Sequence, residues 1–359
     1  MKHITVRHVL ILLLLAVSLG VIGTLKRSGH TDRKAGLYAA GAAALSAQQW
    51  DKAILCFETL VKLDPNYRNV NGRLNEARYL AGLAYLEAGD LDRAIAELGQ
   101  VFSAYEDAEV ALAQTLDSCI VYVPAGEFLM GSDAGDIDER PQRRVYLDAF
   151  EIDRYEVTNV QYRQFLLATD HDAPQRWPDR YVHKLPDRDP DWHDTMYPLG
   201  EAMYPVVGVN WQDATDYCAW VGKRLPTEAE WEKAARGTDG RVYSWGDAWD
   251  ASKANVREAG IGYTQPVGSY SAGASPYGAV DMTGNAWEWV ADLYDRQYYP
   301  YAPDRNPQGP PSGTGERILR GGAWDSSPDH ARVSYRNATH CFGPNFRAGF
   351  RCARFPTTR

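Results

Sequence analysis

The segment DMTGNAWEW, Asp281 to Trp289, holds the residues of this chain best suited to metal chemistry. Asp281 and Glu288 place two carboxylates seven positions apart, with Gly284 and Ala286 in a turn whose carbonyls can point inward. Oxygen donors of this kind around a Gly turn suit a hard cation such as calcium. The competing reading is a Trp-rich packing loop with Glu288 in solvent, and the paired acids favour the ion. Soft or redox chemistry has less to draw on. Cys56, Cys119, Cys218, Cys341 and Cys352 match no zinc spacing, since the closest pair is eleven apart. His330, His340 and Cys341 fall within a dozen residues, and exposed loop positions are the simpler reading than a metal centre. No Ser-His-Asp order, P-loop or dinucleotide fingerprint is present.

The elements that must position these residues change character along the chain. From Ala35 to Leu116 the pattern is helical and rich in Ala and Leu, and two segments align at an offset of 41: Gly41, Ala44, Ala53 and Phe57 against Gly82, Tyr85, Ala94 and Leu98. This resembles tetratricopeptide repeats. Small residues at Gly41/Gly82 and Ala53/Ala94 would let paired helices approach closely, with turns at Trp50-Asp51 and Gly89-Asp90 and an insertion over 67–73. An ordinary helical bundle is the alternative. From Ile120 onward short segments, turns and aromatics dominate, and sustained helical periodicity returns only over 210–236. There two amphipathic helices break at Gly222 to Pro226, and Thr227 with Glu230 forms a capping box for the second.

Composition agrees with two architectures. The chain has 359 residues, 45% hydrophobic and 24% charged, enough for a substantial core and, by length, two domains. Ten of its 11 Trp follow residue 170, while the helical part holds Trp50 alone. A formal charge of -9 without basic runs argues against nucleic-acid binding. At the N-terminus seventeen uncharged residues, Val9 to Leu25, lie between Arg7 and Lys26-Arg27. As a helix they would span roughly 25 Å, at the short end of a bilayer core. An uncleaved membrane anchor over residues 9–25 is favoured over a signal peptide, whose best cleavage candidate is the weak triplet Ser18-Leu19-Gly20. A short basic N-terminus ahead of a large folded mass favours an extracytoplasmic location, periplasmic or cell-surface. Export in turn makes pairing of some cysteines the expectation, with an odd one left over.

Several ordered motifs carry a family resemblance across roughly two thirds of the chain. They are PAGEFLMGS from Pro124, ERPQRRVYLDAFEIDRYEVTNVQY from Glu139, PVVGVNW from Pro205, GKRLPTEAEWE from Gly222, YSWGD from Tyr243, DMTGNAWEW, RGGAW from Arg320 and GFRCAR from Gly349. Together they resemble the formylglycine-generating (sulfatase-modifying factor) family. The resemblance implies an α+β fold related to C-type lectin domains and low in regular structure, here preceded by a small all-α repeat segment and one transmembrane helix. The expected organisation is an anchor over 1–27, helical repeats over 28–118 and the family domain over 119–356. The resemblance also assigns a structural calcium to Asp281, Glu288 and the carbonyls of Gly284 and Ala286. A second calcium site would begin at Asn255 and the Val256 carbonyl, but the following EAGIGYTQ offers only Glu258 as its acid. Cys218 and Cys352 stand where the family's secreted members form a disulfide.

The resemblance also implies an absence. The family's enzymes hold copper(I) on two thiolates after the Gly-Gly turn, and those positions are Ser326 and Ala331 here. Neither a hydroxyl nor a methyl replaces a thiolate for a soft ion, so no copper is expected. The reading is then a non-catalytic peptide- or protein-binding module in a membrane-associated assembly. Its ligand cleft would comprise Trp287, Trp324, Asp325, Ser326, Arg332, Arg336 and Asn337. The alternative is an oxidoreductase or other protein-modifying enzyme that works through a different site.

Overall fold

The computed structural model describes residues 30–101, 105–169, 171, 173–174, 197, 200–313, 315–340 and 345–356. No described helix is long and apolar enough to cross a membrane. The anchor expected over residues 9–25 lies outside the described residues. Two compact units divide between Ala108 and Glu109.

The first unit contains helices α1 (His30–Ser46), α2 (Trp50–Leu63), α3 (Val70–Glu87) and α4 (Leu91–Leu98), and the division falls inside α5 (Glu106–Ser118). The repeat is visible in its packing. A Cβ on Gly41 would sit 2.7 Å from the Phe57 ring, and one on Gly82 would sit 2.6 Å from Leu98, so both glycines are needed for close helix contact. Ala53 and Ala94 are both fully buried at equivalent positions. Trp50-Asp51 is not the first turn, because both residues already belong to α2. Gln48, with φ 56°, bends the chain where Gly89, with φ 75°, does so in the second repeat. Asp90 then caps α4 by accepting the Arg93 N–H.

The described residues of the second unit form three small sheets with order β1-β4-β9, β2-β3 and β7-β6-β5-β8. The strands are β1 (Ile120–Val123), β2 (Gly126–Met130), β3 (Arg143–Leu147), β4 (Phe150–Asp153), β5 (Trp287–Leu293), β6 (Glu316–Arg320), β7 (Asn337–His340), β8 (Ala348–Phe350) and β9 (Ala353–Arg354). Helices α6 (Asn159–Thr169), α7 (Trp211–Trp220) and α8 (Glu228–Arg236) pack among them. The helix pair expected over 210–236 is present: Asn210 caps α7, and the Thr227/Glu230 capping box opens α8. Helix α6 is an addition that periodicity did not reveal. The helical end of the chain's first part also extends into this unit. Glu109 pairs with Arg163 at 2.8 Å, and Asp117 accepts from Gln161 at 2.7 Å, which moves the division ten residues ahead of 118/119.

Helix α8 is buried along its whole length although it is rich in charge. Its carboxylates meet arginines from β6 and beyond: Arg320 reaches Glu232 at 2.6 Å and Glu228 at 3.2 Å, and Arg336 grips Glu228 at 2.7 and 3.0 Å. Arg236 binds Glu232 at 2.7 Å within the helix. Paired and hydrogen-bonded charges are tolerated in an interior, while an orphaned one costs about 3–5 kcal/mol. Asp292 stands at the head of α8, accepting the Glu228 N–H at 2.7 Å. Burial and the nearby Glu228 push its carboxyl up to about 8.

Cys218 of α7 and Cys352 form the expected disulfide, across a sequence separation of 134. Cys56 is a buried thiol outside any disulfide, and Cys119 is buried as well. A chain-entropy account of a loop this long assigns the crosslink about 5 kcal/mol. The Cys218→Ser/Cys352→Ser double variant should therefore melt well below the wild type, by about 10 °C or more. An unchanged Tm would show that the link adds nothing. A second outcome follows from Asp292. Between the unfolded carboxyl value near 4 and the folded value of about 8, the folded chain keeps a proton that the unfolded chain releases. Stability from this group is complete below pH 4 and is lost as pH rises through 8. Asp292→Asn should thus flatten the fall in Tm between pH 5 and 8.5, measured by calorimetry.

Candidate functional site

The site is set by the mixed sheet around β5, which pairs antiparallel with β6 and parallel with β8, so that Glu288 lies opposite both Arg320 and Gly349. Two loops meet at the start of β5. The Gly284 N–H donates to Gly321 O at 2.8 Å and the Trp324 N–H to Asn285 O at 3.0 Å, which stitches the 281–286 turn to the 321–326 turn. Gly321 and Gly322 both take positive φ, and a Cβ on Gly322 would sit 3.0 Å from Ala331. The double-glycine turn is therefore a packing requirement as well as a bend.

Ser326 and Ala331 both serve this turn. The Ser326 Oγ accepts the Ala323 N–H at 2.9 Å and the residue is buried. Ala331 is fully buried beside Ala254 and Val256, with Trp245 and Trp249 packed over the group. Among the cleft residues expected from sequence, Trp287, Trp324, Asp325 and Ser326 do come together. Arg347, which sequence reasoning missed, links them: it pairs with Asp325 at 2.8 Å, lies 6.0 Å from the Trp324 ring and 4.7 Å from Phe346, and its carbonyl accepts the Trp287 N–H. Tyr335, also missed, stands between Trp287 at 6.0 Å and His330 at 4.7 Å. The result is a half-exposed ion pair beside the partly exposed rings of Trp324 and Tyr335, with Trp287 buried in the core beneath them. No sequence signal marked Arg347 beyond its place just ahead of GFRCAR.

Three of the expected residues are not cleft groups. Arg332 is a bidentate partner of Glu139, both contacts at 2.7 Å, and Arg336 is the buried partner of Glu228. Their guanidiniums are spent on the fold, which is the physical reason they offer nothing to a ligand. Asn337 opens β7 opposite Leu319 and is held by the ladder. His330 and His340 also do not converge. His340 pairs with Glu316 at one end of β6, while the His330 carbonyl lies near Gly322 beyond the other end, on the order of 13 Å away along the strand. Cys341 lies outside the described residues. Among the described residues no three or more His, Cys, Asp or Glu side chains converge to hold a metal.

The candidate cation loop is more crowded than its sequence implies. Glu288 takes both Arg351 contacts at 2.7 Å and the Trp231 indole N–H at 2.8 Å, so its charge belongs to Arg351. Asp281 accepts the Gly268 N–H at 2.7 Å, and burial pushes its carboxyl up to about 6. Glu156, unsuspected from sequence, is buried in the same place and accepts from Ala286 N–H and Asn285. Burial, Asp281 and Glu288 together raise it well above the ordinary carboxylate range. Fully ionised, three buried carboxylates would share one guanidinium, and the surplus negative charge fits either a proton or a cation. At the second place, Asn255 Oδ1 is buried without a hydrogen-bond partner, which suits a cation or water, but Val256 O accepts the Ala259 N–H and Glu258 turns away to hold the Trp249 indole at 2.7 Å.

Comparison with known proteins fits this geometry. The sulfatase-modifying factor enzyme 1-like domain matches residues 106–356. The chain belongs to the sulfatase-modifying factor family. Tetratricopeptide repeats match residues 35–67 and 76–108, at the offset of 41 seen in the packing. Within the family, the chain is 36% identical to the formylglycine-generating enzyme of Streptomyces coelicolor over 279 residues, covering 65% of this chain and 88% of that protein. It is 32% identical to the inactive Cα-formylglycine-generating enzyme 2 of Mus musculus, covering 67% and 87%. It is 37% identical to the serine/threonine-protein kinase pkn1 of Chlamydia caviae over 69% of this chain, but spans only 40% of that protein. Active and inactive members of this family are thus about equally similar to the chain, so the site itself must discriminate.

Proposed function

We propose that this sulfatase-modifying factor protein is a non-catalytic binding module. It holds a peptide or protein segment against the partly exposed rings of Trp324 and Tyr335, which pack over the buried Trp287. Residues 9–25 anchor it to a membrane, and the bulk of the chain lies outside the cytoplasm. Its tetratricopeptide repeats, a fold commonly used for protein contacts, add a second surface for a membrane-associated assembly. The observation that carries this reading is the use made of Ser326 and Ala331. The hydroxyl is committed to the Ala323 N–H and the methyl fills a sealed contact, so the two positions brace a turn where copper chemistry would need a pair of thiolates. An aromatic wall with a single ion pair is suited to holding a segment rather than transforming it.

The purified full chain, given copper(I) and a short cysteine-containing peptide, should neither retain stoichiometric copper nor consume oxygen. Copper bound one to one, or oxygen uptake that depends on the peptide, would overturn the reading and favour an oxidoreductase.

A structural calcium is part of the same proposal, with Asp281 and the carbonyls of Gly284 and Ala286 as its donors and Glu156 as the neighbouring charge. Glu288, already held by Arg351, contributes by position. Calcium at about 100 times its Kd would add about 2.7 kcal/mol. Chelation should then lower Tm by about 5 °C, with recovery on calcium but not sodium. An indifferent Tm would assign the surplus charge to protons instead.

A further inference from the structure

The YSWGDAWD segment forms a second pocket, of about 590 Å³, lined by Trp245, Asp247, Trp249, Asp250 and Lys253 among others. Its walls are preset. Tyr243 stacks on Trp245 at 5.3 Å, and the two indoles meet at 46° with centroids 5.7 Å apart, forming a wedge. Both indole N–H groups already have acceptors, Trp245 in Ala248 O at 2.9 Å and Trp249 in Glu258 at 2.7 Å. The rings therefore offer faces, and an indole face attracts cations through its quadrupole. Two carboxylates line the pocket against one lysine. That lysine shows what the wedge prefers: the Lys253 ammonium lies 5.9 Å from the Trp245 centroid and 3.7 Å from Asp250.

We propose that this pocket binds the alkylammonium end of a lysine side chain presented by a partner protein, with Lys253 as its tethered internal occupant. A flexible four-carbon stem that is partly exposed can leave without disturbing the wedge. An anion would meet Asp247 and Asp250, and a neutral alkyl group would gain nothing from the carboxylates. The inference goes beyond the peptide surface at Trp324 and does not depend on it.

The test uses the full chain and n-butylammonium chloride, followed by saturation-transfer NMR, with 1-butanol as the neutral control. Lys253→Met should bind n-butylammonium at least about threefold more tightly than the wild type, because the internal competitor is gone. Adding Asp250→Asn or Trp249→Ala to Lys253→Met should weaken binding at least about threefold, with thermal melts confirming that each variant is folded. Asp250→Asn carries the test if Trp249→Ala fails to fold. Equal binding by Lys253→Met and wild type, or equal binding of 1-butanol, would overturn the proposal.

Discussion

The second unit depends on charges that are buried in pairs. Helix α8 lies inside the fold with Glu228, Glu232 and Arg236 all out of solvent, and it can do so only because Arg320 and Arg336 arrive from more than eighty residues away to neutralise them. Among the described residues this unit has small sheets, short helices and few long hydrogen-bonded ladders to hold it. Directional ion pairs supply the missing specificity, since a shifted register would leave a carboxylate or a guanidinium buried alone. Arg351 and Glu288 repeat the device on the central strand, and Arg332 with Glu139 on the loop that follows the double glycine.

This constraint explains why the candidate surface is smaller and more aromatic than the density of arginines in its sequence implies. Arginine in RGGAW and its surroundings reads equally well as a phosphate, carboxylate or peptide contact. In the folded chain Arg320, Arg332 and Arg336 are all committed to acids, and the more exposed guanidiniums beside Asp325 are those of Arg347, its ion-pair partner, and Arg257, whose Nε–H donates to the Asp325 carbonyl at 2.9 Å. What remains exposed or partly exposed is ring area: Trp324, Tyr335 and Phe346 around a single ion pair. Nearby, Ser326 and Ala331 maintain the turn. In the candidate cation loop Glu288 serves a guanidinium and Asp281 is left with Glu156.

The repeats follow a different logic. Their contacts are apolar and local, and small residues at Gly41 and Gly82 are matched by Phe57 and Leu98 sixteen positions later in each copy. Here packing volume sets the geometry, with charge confined mostly to the surface. The two halves of the chain therefore use opposite means to specify a structure.

Sequence by itself determined the family, the repeat and its period, the Thr227 capping box and the partners of the disulfide. Each of these is a local pattern or an ordered motif, and such patterns survive in one dimension. Tertiary structure alone decided which charges are spent. Nothing in the spacing of Glu228 and Arg336, or of Glu288 and Arg351, tells that they meet, because their partnership is made by strands that pair across long loops. The same holds for Arg347 and Tyr335, which join the aromatic surface through β8 and the loop after β6. Whether a given arginine or carboxylate faces a ligand or another side chain is a question of what lies opposite it, and only the folded chain brings the two sides together.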